Sequence, residues 1–357
     1  MAENILSRYS VEIYTSSGTL VADLTGRASM RKMSVARNRA GSCSFKADLF
    51  SLEALARQMN LTVFDLIGLN QNEVRIRRGT RYLFGGQIVY MEPSLDTQEI
   101  EVRAVGFLEL FNFRHTDVET IYSGVDAGDI AWDLIDTSQS QTNGDFGITL
   151  GGIQTSVNRD RTYPAYKNIK DAIIQLSDVI NGFDFEFTYD KKFYVYYPHQ
   201  GIDLTSSMLF NYPGNIKRIR IPRDGTKMFN RAITRGLGFG AQQPIEIRNN
   251  TTYQAAYKVR ESILDYPDVT ETATLDAHGD EQVNQFKDPF EIPQITMDGN
   301  QQPYLGSYWL GDRVKIEVTN MDMYKYLKNN TYKIDAIDVE IDNDDVEDIT
   351  LSLSLDS

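Results

Sequence analysis

The chain has 357 residues, 41% apolar, 24% charged and 11% aromatic, an ordinary globular composition that excludes a disordered polymer. Its 36 Lys and Arg against 50 Asp and Glu leave a net charge of −14, which argues against nucleic-acid binding, since that needs a basic footprint. A single cysteine, Cys43, excludes an intramolecular disulfide and any Cys/His framework.

Length predicts about two to three domains. The N-terminal run MAENILSRYSVEIY lacks the basic and apolar regions of a secretory signal, and no apolar run reaches the roughly 18 residues of a membrane helix. These features predict a soluble chain made in the cytoplasm, with no membrane segment. The charge is uneven: residues 1–116 carry 14 basic and 12 acidic residues, so the acidity lies in the remainder.

Residues 9–25, YSVEIYTSSGTLVADLT, predict a hairpin turned at Ser16-Ser17-Gly18. A second extended pair surrounds Asn38 and Gly41 and ends in the alternating Cys43, Phe45, Ala47 and Leu49. SLEALARQMN predicts a short helix over 51–60 with Ser51 as N-cap. Three strands follow, NEVRIRRG, TRYLFGGQIVYMEP and QEIEVRAVGFLELF, and Gly85-Gly86 marks a bulge or a close backbone approach. Residues 1–116 therefore predict an antiparallel β-domain with one helix.

Residues 117–200 predict a compact α+β domain. VDAGDIAWDLIDTS is a helix with Ile130, Ala131, Leu134 and Ile135 on one face, and a Gly- and polar-rich stretch runs from Asn143 to Val157. AYKNIKDAIIQLSDVING predicts a longer helix stopped at Asn181-Gly182, and FDFEFTYD with KFYVYYP a hairpin turned at Asp190-Lys191. From residue 201 to 357 the pattern is β again, with strands at IKRIRI, MFNRAITR, GDRVKIEVTN, YKIDAIDVEID and EDITLSLSLDS. A loop and helix region of about 237–305 is inserted here, including TATLDAHGDEQVNQF as a helix despite Gly279. Residues 80–110 and 331–355 share one pattern: an aromatic-led strand, an acidic turn, and an alternating strand. This pattern suggests two copies of one β-barrel split by the insertion.

No constellation predicts chemistry. Cys43 falls on the apolar face of a strand, and His115, His199 and His278 have no motif neighbour. GLGFG at 236–240 lacks phosphate-loop spacing, and IDNDDVED at 341–348 lacks the glycine of a calcium loop and is flanked by strands in place of helices. No catalytic residue, cofactor or metal is expected. Three basic runs stand out: Arg27 to Arg39, Arg75 to Arg81, and Lys217 to Arg235. Residues 335–357 hold nine acids and no Lys or Arg. The runs read either as solvated strand faces or as patches complementary to acidic edges on a neighbouring subunit. The second reading makes Arg75, Arg77, Arg78, Asp342, Asp344 and Asp345 candidate subunit-interface residues.

The ordered set of elements resembles the central hub proteins of phage tails and related contractile injection systems. It is similar above all to siphophage minor tail proteins and the hub portion of tail-associated lysins. The likeness is carried by YSVEIYTSSGTLVADLTG, FGGQIVYMEPSLDTQEIEVRAVGF, YKNIKDAIIQLSDVINGFDFEF with KFYVYYP, then MFNRAITRG, YKVRESI, TLDAHGDEQ and YWLGDRVKIEV. The resemblance implies a mainly β fold in which two tail-tube-like antiparallel β-barrels flank a smaller α+β domain. It implies a homotrimer forming a pseudo-sixfold ring around the DNA exit channel at the tail tip of the virion. The implied partners are hexameric tail-tube or distal-tail rings, a tape-measure protein, and tip or fibre proteins, without sequence-specific nucleic-acid binding. Lysin-bearing relatives continue into a peptidase or muramidase. This sequence ends at Ser357 after the last strand, so the expectation is a structural protein and not an enzyme. Two other readings are a receptor- or glycan-binding minor tail protein and a hydrolase.

Overall fold

The computed structural model describes residues 9–179, 181–288, 290–291, 293–342 and 346–356. The first part holds β1 (Tyr9–Thr15), β2 (Leu20–Asp23), β3 (Ala28–Ala36), β4 (Ser42–Asp48), α1 (Leu49–Gln58), α2 (Val63–Leu66), β5 (Asn72–Arg78), β6 (Arg81–Ser94) and β7 (Glu99–Gly106). The second holds β8 (Thr120–Asp126), α3 (Ala127–Gln139), β9 (Thr149–Ile153), β10 (Asn158–Tyr163), α4 (Ile169–Ser177), β11 (Asp184–Phe187) and β12 (Lys192–Tyr196). The third holds β13 (Leu209–Tyr212), β14 (Ile216–Arg220), β15 (Arg223–Asp224), β16 (Arg231–Arg235), β17 (Ile245–Asn249), α5 (Thr251–Tyr257), β18 (Glu261–Asp265) and α6 (Thr272–Phe286). It closes with β19 (Phe290–Glu291), β20 (Gln294–Asp298), β21 (Arg313–Val318), β22 (Tyr332–Ile341) and β23 (Glu347–Leu355). No helix among the described residues is long and apolar enough to cross a membrane.

The protein is mainly β. Thirteen strands join in one sheet, in the order β14-β20-β23-β22-β3-β4-β7-β6-β5-β1-β2, with β21 on the start of β22 and β13 parallel to β21. Alternation explains the core. In β4 the side chains of Cys43, Phe45 and Ala47 are buried between outward Ser and Lys residues, each large apolar side chain contributing about 2 kcal/mol on burial. The β22–β3 ladder sets Ile337 beside Val35 and Val339 beside Met33, so one apolar core runs through both β regions.

The hairpins β6–β7 and β22–β23 are the two segments of similar pattern, and both lie in this sheet. Two closed barrels are not what the backbone forms: the sheet is open, ending at β2 and β14. The sheet curls nonetheless: the end of β5 and the start of β23, far apart in the strand order, meet through Arg78 and Glu347 at 2.8 Å.

Residues 107–197 carry a second core, of α3, α4 and the β11–β12 hairpin. A third, small core lies under the three-stranded sheet β17-β16-β18, against α6. Several boundaries differ from expectation. The helix expected at 51–60 starts at Leu49, because Asp48 takes the cap: its carboxylate accepts the Ser51 N–H at 2.7 Å. The strand expected through FLELF stops at Gly106, and Phe107–Phe113 turns as a 3-10 helix that buries Phe107, Leu108, Leu110 and Phe111. The helix expected to reach Asn181 stops at Ser177. Strands β8, β9 and β10 carry too little alternation to be seen in sequence.

Candidate functional site

The three regions meet at one junction. Arg37, in the β3–β4 turn, bonds Asp184 of β11 at 2.8 Å and Asp335 of β22 at 2.9 Å. Asn38 sits in the left-handed region at φ 57°; its Nδ2 donates to Asp184 at 3.1 Å, and its side-chain Oδ1 accepts the Phe185 N–H at 2.8 Å. Gly85 lets β6 approach the insertion: a Cβ there would lie 2.4 Å from the Tyr189 Cα. That is the close backbone approach expected of Gly85-Gly86. Tyr189 in turn stacks on Tyr82 at 4.1 Å.

A cavity of about 410 Å³ opens at this junction, lined among others by Arg81, Tyr82, Glu186, Tyr189, Tyr196 and Trp309. Glu186 accepts from Gln200 at 3.1 Å and from the Tyr196 hydroxyl at 3.2 Å. Burial pushes its carboxyl above the ordinary range, against the lowering effect of those hydrogen bonds.

The four described candidate interface residues, Arg75, Arg77, Arg78 and Asp342, are each engaged within the chain. Arg78 is buried, with only 2% of its side chain exposed, as is its partner Glu347. Its Nη2 bonds Glu347 Oε2 and the Gly299 carbonyl, each at 2.8 Å, and Nη1 reaches the Leu305 carbonyl at 3.3 Å. The Tyr9 hydroxyl donates to the same carboxylate, and burial followed by the Glu347 charge raises the Tyr9 pKa. The sequence pattern sets Arg78 against acids of a neighbouring subunit; the structure pairs it with an acid of its own C-terminal segment. Arg77 bonds Glu12 at 3.3 Å, and the Arg75 guanidinium lies 3.9 Å over the Tyr14 ring. Asp342 turns the β22–β23 connection: its carboxylate accepts the Val346 N–H at 2.9 Å, and its carbonyl accepts from Arg31 at 2.9 Å. Asp344 and Asp345 lie outside the described residues. Two other basic runs also meet the acidic segment within the chain, through Lys32 with Glu340 at 2.9 Å and Lys217 with Asp348 at 2.6 Å.

The nucleophile and base candidates are dispersed. Cys43 is buried and burial pushes its thiol far up. His115 bridges to Asn168 through its backbone. His199 lies 2.7 Å from Arg313 Nη1, and burial followed by Lys333 and Arg313 lowers its pKa. His278 stacks on Tyr266 at 3.9 Å, and burial with Arg161 and Arg159 lowers its pKa to about 3. Among the described residues, no group of three or more His, Cys, Asp or Glu is placed to hold a metal.

No family profile and no curated protein matches the chain. Solved structures do. A tail protein from Neisseria meningitidis MC58 aligns over 98% of this chain and 97% of its own, with TM-score 0.64 and 12% identity. The fold is that of phage tail proteins. The prophage MuSo2 43 kDa tail protein from Shewanella oneidensis aligns over 97% of this chain and 98% of its own, with TM-score 0.63 and 12% identity. A component of the Escherichia coli type VI secretion system, described as similar to T4 bacteriophage tail proteins gp27 and gp5, covers 93% of this chain and 74% of its own, with TM-score 0.53 and 11% identity. The tail-protein fold extends over nearly the whole chain at 11–12% identity. The junction around Asn38, Asp184 and Gly85 left only one signal in sequence, the paired glycines of β6.

Proposed function

We propose that this chain is the structural hub of a phage tail tip or baseplate. Three copies form a pseudo-sixfold ring that joins the tail tube to the tip and surrounds the DNA exit channel. Residues 1–116 and 201–357 supply two tube-like β units to the ring, and residues 117–200 form the insertion between them. The observation that carries this reading is the β22–β3 ladder, which joins two similar hairpins, β6–β7 and β22–β23, into one sheet with only β3 and β4 between them. Two units in each of three subunits match the six of a hexameric ring above. The tail-protein fold supports the same reading. The net charge of −14 suits a lumen past which DNA phosphates slide without binding. Partners are then tube or distal-tail rings, a tape-measure protein, and tip or fibre proteins, and the role is structural rather than enzymatic. Arg75, Arg77 and Asp342 remain candidates for the subunit contact. Light scattering of the purified chain tests the reading: a mass of three subunits is expected, and a monomer at micromolar concentration contradicts it.

The junction cavity favours one second reading, a glycan-binding tail protein. Tyr82, Tyr189, Tyr196 and Trp309 could stack sugar rings beside Glu186. Binding on a glycan array by a monomeric chain, lost in Trp309→Ala, would select it.

A further inference from the structure

We propose that one copy of this chain docks on the next through two different faces. One is the Asp117-Val118-Glu119 corner of the insertion. The other is the outer face of the β17-β16-β18 sheet, with its Lys258-Val259-Arg260 lip. The proposal rests on the ring reading above and names the surfaces that would close the ring.

The sheet face is defined by register. Helix α6 covers one side of the sheet only: Thr234 Oγ1 donates to the Leu275 carbonyl at 3.2 Å, and Arg248 reaches Asp280 at 2.7 Å. Alternation throws Ile233, Ile247 and Ile263 to the other side, where the two ladders align them in one row. Ile247 and Ile263 are exposed, as are Ile245 one row along and Phe239 in the next loop, the last at 90%. A row of isoleucines in water on a strand face marks a protein contact.

The lip sits at one end of that row. Arg260 is fixed there, its N–H bonded to Asn230 Oδ1 at 3.0 Å and its carbonyl accepting the Arg231 N–H at 3.1 Å. Lys258, Val259 and Arg260 are all exposed, and among the described residues neither cation has a carboxylate partner.

The corner mirrors this chemistry. Asp117, Val118 and Glu119 are all exposed, and the segment is anchored by Thr116, which donates to the Lys167 carbonyl at 3.0 Å and accepts the Tyr166 N–H at 2.7 Å. Exposed Phe113, Ile121 and Tyr166 come from the same hydrogen-bonded knot. Each face is thus an exposed valine between two like charges beside exposed apolar side chains, and the two faces differ in sign. Pairing the lip with itself would oppose cations, so the contact is head-to-tail: each copy uses each face once, which a closing rotation turns into a ring.

The test is charge reversal with rescue, read as mass by light scattering, with circular dichroism as the folding control. D117K/E119K and K258E/R260E should each raise the subunit dissociation constant by about a hundredfold and run as monomers. The chain carrying all four changes should regain the wild-type mass. Ile247→Ser with Ile263→Ser should lower the mass without touching charge. Either reversal or the serine pair keeping the wild-type mass overturns the proposal, as does a folded four-residue variant that stays monomeric. A trimeric wild type with indifferent variants leaves the ring standing and removes only these faces. A monomeric wild type removes both.

Discussion

Arg78 and Glu347 are 269 residues apart in sequence and meet at 2.8 Å, both buried. They belong to β5 and β23, which are not neighbours in the sheet: β22, β3, β4, β7 and β6 lie between them. The sheet therefore curls until the end of one half touches the start of the other, and a charged side chain, not a backbone ladder, fastens the contact.

Removing one partner of a buried pair leaves an uncompensated charge. Arg78→Ala should cost about 3–5 kcal/mol of unfolding free energy, read by urea denaturation. The paired change R78M/E347L should recover most of it. A loss under about 1 kcal/mol in Arg78→Ala would show that the pair does not hold the halves together.

Gly85 lies where β6 meets the insertion. A methyl group there would sit 2.4 Å from the Tyr189 Cα, which is backbone and cannot swing away. Gly85→Ala should destabilise by about 1–3 kcal/mol. Gly225→Ala is the control: a Cβ there meets nothing within 4 Å, and the change should stay within about 0.5 kcal/mol. Equal effects at the two sites would contradict the close packing of β6 on Tyr189.

His278 gives a pH dependence with a defined sign. Burial, with Arg161 and Arg159 beside it, keeps the folded imidazole neutral down to about pH 3. The unfolded chain binds that proton near pH 6.5. Between these values the unfolded state holds the extra proton, so the contribution is full above pH 6.5 and is lost as pH falls toward 3. The slope from this group is about 1.4 kcal/mol per pH unit. Denaturation midpoints between pH 7 and about pH 5 should fall less steeply in His278→Phe, which keeps a ring against Tyr266. Parallel profiles would assign the acid sensitivity to other groups.

Cys43 should resist thiol reagents in the native protein, since it is buried and burial raises its pKa. Modification should proceed only at the rate of opening and accelerate with urea. Immediate stoichiometric labelling without denaturant would place the β4 face in solvent.

What was legible in sequence was what alternation and apolar spacing encode. The β4 run Cys43, Phe45, Ala47 is buried as its period requires, and α3 buries Ile130, Ala131, Leu134 and Ile135. The α6 helix was legible despite Gly279, and the structure supplies the reason for that glycine: a Cβ would lie 2.5 Å from the Arg248 Cγ as the helix crosses the sheet. Strands β8 to β10 were not legible, because they are short, bury few apolar side chains and are interrupted by Gly and charged residues. The opposition of basic runs and an acidic C-terminus was visible, but its address was not. Charge pattern cannot say whether a partner lies in the same chain, and for Arg78 and Lys217 it does. The Arg37, Asn38, Asp184 and Asp335 junction depends on a chain reversal of nearly 300 residues, which no local pattern carries.

The most direct measurement for the hub is electron microscopy of the purified chain. Class averages should show three copies around an open channel, with six similar β lobes in projection. Single-copy particles, or a ring without that sixfold appearance, would contradict the hub.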